Sequence, residues 1–201
     1  ARAGPSPHCK GSECFDEALV EQLKKEIAAK PAQASAQIVV LHQLGSHGPA
    51  YHKRVPAAFK RFTPECASNA LQECERQQVV NAYDNTIAYT DHFLAESIAW
   101  LQKRPGPSAL VYVADHGESL GENGIYLHGL PFMLAPDAQK QVGAILWFGN
   151  RYPVDRTLLR QRSVAEHSHD DYFHTVLGLM QVSTPEYDAG KDWVVGAVKA
   201  Q

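Results

Sequence analysis

Long hydrophobic runs are what this sequence most plainly lacks. The longest, residues 38–41 and 142–149, fall far short of the ~18 residues that a membrane-spanning helix needs, so no segment here crosses a bilayer as a helix. A surplus of positive charge is missing too: 19 Lys and Arg stand against 22 Asp and Glu, for a net charge of −3, and the basic residues are scattered. With no basic stripe to neutralise a run of phosphates, the sequence argues against nucleic acid as a partner. There is no internal repeat, low-complexity tract or inter-domain linker, and the composition excludes both disorder and collagen-like order. What remains is 44% apolar and 20% charged, and 201 residues of that kind bury a sizeable core as one soluble globular domain. Ten histidines make metal or phosphoryl chemistry worth looking for.

Cysteine is sparse, and its four copies fall into two local pairs, Cys9 with Cys14 and Cys66 with Cys74. Zinc motifs usually space Cys ligands two to four residues apart and add a second matching pair, which neither pair has nearby. Of the three possible connectivities, the two small-loop disulfides Cys9–Cys14 and Cys66–Cys74 are expected, with four reduced buried thiols as the alternative. Disulfides imply an oxidising compartment such as a periplasm. Each would brace its loop by about 2–3 kcal/mol. Residues 1–10 carry no apolar core of a signal peptide, so export information is expected upstream or already removed.

The hydrophobic pattern alternates between strand and helix. Residues 15–30 place Phe15, Ala18, Leu19, Leu23, Ile27 and Ala28 on one helical face, and Pro31 ends it. Residues 37–42 form a short β-branched run that reads as a buried strand, leading into the Gly45-Ser46-His47-Gly48-Pro49 loop. Residues 76–103 are helical in period and stop at Arg104-Pro105-Gly106-Pro107. Residues 108–114 and 143–148 read as further strands, residues 168–181 as a last helix, and the stretch from about Pro185 as a surface tail. The alternation predicts an α/β fold with a mostly parallel sheet flanked by helices on both faces. Sites in such sheets collect beyond the strand carboxyl ends.

Polar chemistry begins at such an end. Asp115 and His116 follow the 108–114 strand directly, and a carboxylate beside an imidazole makes half of a zinc site, whereas catalytic zinc takes about three protein ligands and an open position. A bare Asp-His pair also fits a turn-capping carboxylate with its neighbour hydrogen-bonded to it. His47 sits between glycines, where backbone can approach a ligand closely, and His128 is followed by Gly129. Glu118 suits a partner that orients His116, or a solvated carboxylate. In His167-Ser168-His169-Asp170-Asp171, Ser168 ahead of acids and an apolar helix reads as a cap rather than a metal site.

The string Asp115 to Gly129, DHGESLGENGIYLHG, resembles the signature of the alkaline-phosphatase-like phosphoethanolamine transferases that modify lipid A, the family that includes the mobile colistin-resistance enzymes. LHQLGSHGPAYHKRVP resembles that family's strand-to-loop segment, CERQQVVNAYDNTIAYTD its long helix, and SHDDYFHTVLGL its last helix. The resemblance covers nearly all of residues 9–179, and both cysteine pairs stand where the family places disulfides.

The resemblance implies an alkaline phosphatase/sulfatase-like fold and an enzyme at the periplasmic face of the bacterial inner membrane. A zinc-bound threonine would take phosphoethanolamine from phosphatidylethanolamine and pass it to a lipid A phosphate. Asp115 and His116 match zinc ligands of the family; His47 and His128 match its phosphoryl-binding or second-metal histidines. The family's threonine, one glutamate ligand and its membrane helices lie upstream of the first matched cysteine pair. Residues 1–201 are therefore expected to be the C-terminal part of a catalytic domain, inactive alone and weakened in zinc affinity and stability. Another phosphotransferase or sulfatase of the superfamily, or a non-catalytic zinc-binding remnant, are the alternatives.

Overall fold

A computed structural model describes residues 6–10, 13–29 and 36–199. The chain divides into two compact units, Ala1–Trp100 with His116–Ala144, and Leu101–Asp115 with Ile145–Gln201. No helix is long and apolar enough to cross a membrane among the described residues.

The first unit opens with strands β1 (Cys9–Lys10) and β2 (Glu13–Cys14), an antiparallel pair in which Cys9 faces Cys14 and is disulfide-bonded to it. Helix α1 (Glu17–Ala28) buries Ala18 and Val20. Asp16, at its start, does not cap it; the carboxylate accepts the amides of Leu44 and Gly45 instead, both at 2.9 Å. The long helix α2 (Arg76–Gln102) supplies Val79 and Ala82 to a core with Tyr51, Cys66 and Leu71, and the Cys66–Cys74 disulfide lies at its edge. Asn85, fully buried on α2, accepts the amides of Arg61 and Phe62 and donates to the Phe62 carbonyl, fixing the chain that approaches the helix. Strands β4 (Ser119–Leu120) and β5 (Tyr126–Leu127) make an antiparallel hairpin, and the short helix α3 (Asp137–Lys140) follows.

The second unit pairs β3 (Ala109–Val113) with β6 (Ala144–Phe148). Helix α4 (Arg156–Arg162) is capped by the Asp155 carboxylate, and α5 (His169–Leu179) by a full capping box: the Ser168 side chain accepts from the helix, and Asp171 accepts the Ser168 amide. The cap expected at Ser168 is therefore present. Phe148, Trp193 and Val194 form the core of this unit.

Both disulfides and the α/β class agree with the sequence expectation, but three details differ. Residues 37–42 are not a strand. They carry no ladder, and Ile38, Val39 and Val40 are 56%, 48% and 82% exposed. A strand is defined by a ladder as much as by its own residues, and no described strand forms one with this run. For the same reason the described strands form three two-stranded sheets rather than one broad sheet. The third difference is the tail. The stretch after Pro185 is part of the core, because Trp193 and Val194 are buried, the Trp193 amide donates to Thr175 Oγ1 and the Val194 amide to the Asp192 carboxylate. A single 3₁₀ turn (Ala189–Lys191) shows neither period 3.6 nor period 2, so patterning could not reveal it. The expected helix end at Pro31 lies outside the described residues.

Candidate metal centre

The hairpin builds the site. Its register pairs Ser119 with Leu127 and Leu120 with Tyr126, so Glu118 and His128 are the next facing positions beyond the ladder. The turn between the strands uses the left-handed conformation at Gly121 (φ 100°), Asn123 (φ 53°) and Gly124 (φ 76°). Glu122 closes it: its carboxylate accepts the Leu120 amide (2.7 Å) and the Arg76 guanidinium (3.1 Å). Partial burial opposes ionisation there, but the backbone amides and Arg76 outweigh it and hold the carboxyl below the usual range. Leu127 adopts φ 63°, a conformation that costs a branched side chain of the order of 1–2 kcal/mol, directly before His128.

The other end of the loop is fixed by close approach. The Gly117 amide donates to the Gln139 carbonyl (3.0 Å), and a Cβ on Gly117 would lie 2.0 Å from the Ala138 carbonyl oxygen. Gln139, buried on α3, donates to Ser119 Oγ (2.9 Å). Only glycine lets the strand-to-hairpin chain lie this near α3.

At the centre is Glu118, whose side chain is 3% exposed. A buried carboxylate is costly unless its oxygens are satisfied. His128 Nδ1 donates to Oε1 at 2.8 Å, Tyr51 Oη donates to Oε2 at 3.2 Å, and His116 Nδ1 stands 4.0 Å from Oε1. Burial, and then the adjacent Glu118 charge, push the Tyr51 phenol far above its ordinary range, so it stays a hydrogen-bond donor. His116 Nδ1 also donates to the Gly117 carbonyl (3.0 Å). The rings of His116 and His128 lie 3.7 Å apart between centroids, and those of His47 and His128 6.2 Å.

The His47 loop is held from three sides. Asp16 takes the Leu44 and Gly45 amides, the Thr86 and Ser46 hydroxyls lie 2.7 Å apart, and Arg54 Nε donates to the His47 carbonyl (3.1 Å). Gly48 admits Tyr51 beneath it: a Cβ there would meet Leu127 at 2.6 Å and Tyr51 Oη at 2.7 Å.

His116, Glu118 and His128 each offer one ligand atom within 4.8 Å of the other two, the one such group among the described residues. Two imidazoles and a carboxylate are a donor set used by catalytic zinc, with the fourth position open. The residues present thus fit a divalent cation. Glu118, expected from sequence to orient His116 or to be solvated, instead joins the group and bonds His128. Asp115 is exposed and belongs to the second unit. His42, at the end of the run expected to be a strand, is exposed on a segment without one. Sequence reasoning missed Tyr51, whose link to Glu118 spans 67 residues and leaves no local signal.

The model of the sulfatase family matches residues 2–182. The chain belongs to the sulfatase family. Among curated sulfatase-family relatives, it is 44% identical over 191 residues to phosphoethanolamine transferase EptA of Escherichia coli K12, covering 92% of this chain and 34% of that protein. It is 46% identical over 138 residues to phosphatidylethanolamine transferase Mcr-1 of E. coli, covering 68% and 25%. The soluble domain of lipooligosaccharide phosphoethanolamine transferase A from Neisseria meningitidis superposes with a TM-score of 0.89 at 37% identity, over 96% of this chain and 59% of that one. The C-terminal periplasmic domain of EptC from Campylobacter jejuni gives 0.84 at 41% identity, over 93% and 60%. The fold is therefore alkaline phosphatase/sulfatase-like, and the chain spans about a third of the length of its curated relatives.

Proposed function

We propose that residues 1–201 are the C-terminal part of the catalytic domain of a zinc-dependent phosphoethanolamine transferase. Its donor is phosphatidylethanolamine, its acceptor a lipid A phosphate, and its place the periplasmic face of the bacterial inner membrane. The observation that carries this reading is the buried Glu118 carboxylate flanked by His116 and His128, in the hairpin whose sequence most specifically resembles these enzymes. The names of the relatives, which include phosphoethanolamine transferases and a phosphatidylethanolamine transferase, support donor and group transferred. The name Kdo(2)-lipid A phosphoethanolamine 7''-transferase, borne by a relative 30% identical over 191 residues, supports the acceptor class.

In this reading His116, Glu118 and His128 hold the cation, with Asp115 as a further ligand by resemblance. Zinc, when bound, supplies positive charge to the transferred phosphoryl group and ionises a hydroxyl nucleophile near neutral pH. His47 donates a hydrogen bond to a phosphoryl oxygen, where negative charge accumulates in the transition state. Tyr51 keeps Glu118 in place from below. The nucleophile is a threonine in the part of the longer enzyme that these residues do not include. Its oxygen bonds to phosphorus as the bond to the diacylglycerol oxygen breaks, and a lipid A phosphate then displaces the threonine. The 201-residue chain alone is accordingly inactive.

The test is expression of the whole reading frame in membranes with labelled phosphatidylethanolamine, followed by peptide mapping. The expected result is label on one threonine, chased onto lipid A, and lost with E118A. Transfer that persists in the metal-free enzyme, or hydrolysis of sulfate esters in its place, would contradict the proposal.

A further inference from the structure

Immediately after His128 the chain runs Gly129-Leu130-Pro131-Phe132-Met133-Leu134, and it does so on the surface. Leu130, Phe132, Met133 and Leu134 are 41%, 77%, 94% and 73% exposed, a contiguous cluster of large apolar side chains. The turn beneath them is closed. The Leu134 and Ala135 amides both donate to the Pro131 carbonyl (2.8 and 2.9 Å), Ala135 is buried, and Gln139 ties the base to Ser119. The side chains at the tip are therefore open to solvent on a turn that is itself closed.

We infer that this turn is the surface through which the metal centre meets a phospholipid bilayer, a statement that rests on the function proposed above. Two features favour lipid as the occupant. First, the turn has little backbone to offer a protein strand. Pro131 has no N–H, and the amides of Leu134 and Ala135 are already used, so what the turn presents is apolar side chain without an edge. The exposed run at residues 38–40 is the opposite case, an apolar segment with no ladder of its own. Second, the turn is continuous with the site. Leu130 follows His128 by two residues, at most ~7 Å of chain. A phospholipid whose phosphate sits at His128 carries its glycerol and acyl chains within reach of that distance. Lys140, whose Nζ lies 5.3 Å from the Phe132 ring centroid and 3.4 Å from an Asp137 carboxylate oxygen, puts a cation at the foot of the turn, the level of the lipid phosphates. The integral membrane lipooligosaccharide phosphoethanolamine transferase A of Neisseria meningitidis aligns with 96% of this chain, so a bilayer is adjacent to at least one such domain.

The experiment uses a single reporter thiol. All four native cysteines are in disulfides, so M133C is uniquely labelled with a polarity-sensitive dye, and V164C, 85% exposed and in the other unit, serves as the control. Vesicles of phosphatidylethanolamine and phosphatidylglycerol are added to the 201-residue chain. The dye at position 133 is expected to shift to the blue while that at 164 does not, and F132S/M133S/L134S is expected to weaken vesicle co-sedimentation by about tenfold or more. No shift at 133, equal shifts at both positions, or unchanged sedimentation of the triple variant would overturn the inference. So would blue emission from position 133 of the 201-residue chain before vesicles are added, since protein would then cover the turn. Loss of transfer by the longer enzyme with turn-dependent vesicle binding intact would instead sink the proposed function.

Discussion

One region of this chain reads as a strand in sequence and another as polar loop, and the structure reverses them. Residues 37–42 are the more apolar, with three consecutive β-branched residues, and yet they lie exposed without a ladder. Residues 115–129 are richer in glycine and charge, and yet they form a closed hairpin around a carboxylate that is 3% exposed. The difference is where the partner lies. The hairpin finds its partner eight residues away, with glycine turn chemistry to close it, whereas an isolated β-branched run has only one face of a sheet to contribute. Order in this chain follows the availability of a partner more than apolar content.

The largest effects should come from breaking the hairpin site. E118A removes one of three ligand atoms and is expected to weaken zinc binding more than about 100-fold, read by competition against a chromophoric chelator. G117A places a Cβ 2.0 Å from the Ala138 carbonyl oxygen, which is backbone and cannot yield. It should cost ~2–3 kcal/mol, seen as a lower urea midpoint at unchanged slope. N85A strips the amides of Arg61 and Phe62 of their acceptor in a fully buried place and should cost about 2 kcal/mol in the same assay. Y51F removes one donor from Glu118 and should cost about 1 kcal/mol. V40K should change stability by less than ~0.5 kcal/mol, because position 40 is 82% exposed. A loss of several kcal/mol at position 40, or none at Gly117, would reverse the comparison.

The same contrast explains how much could be read in the sequence. Local signals are readable: the cysteine pairs and the cap at Ser168 ahead of the acids of the last helix. Each depends on residues fewer than about a dozen positions apart. What sequence could not reveal depends on distant partners. Tyr51 reaches Glu118 across 67 residues, Asp16 holds the amides before His47 across 28 and 29, and Trp193 docks on Thr175 across 18. The sequence places Glu118 beside His116, and the structure keeps the two 4.0 Å apart, but the shorter 2.8 Å bond of Glu118 to His128 is a matter of hairpin register that adjacency does not reveal.

The most direct test of the central claim, that His116, Glu118 and His128 hold one divalent cation, is a zinc titration of the purified chain followed by imidazole nitrogen NMR. The resonances of His116 and His128 should shift together and saturate at one equivalent, His174 should stay unmoved, and E118A should abolish the joint shift. Zinc that leaves both rings unperturbed, or that moves only one of them, would contradict it.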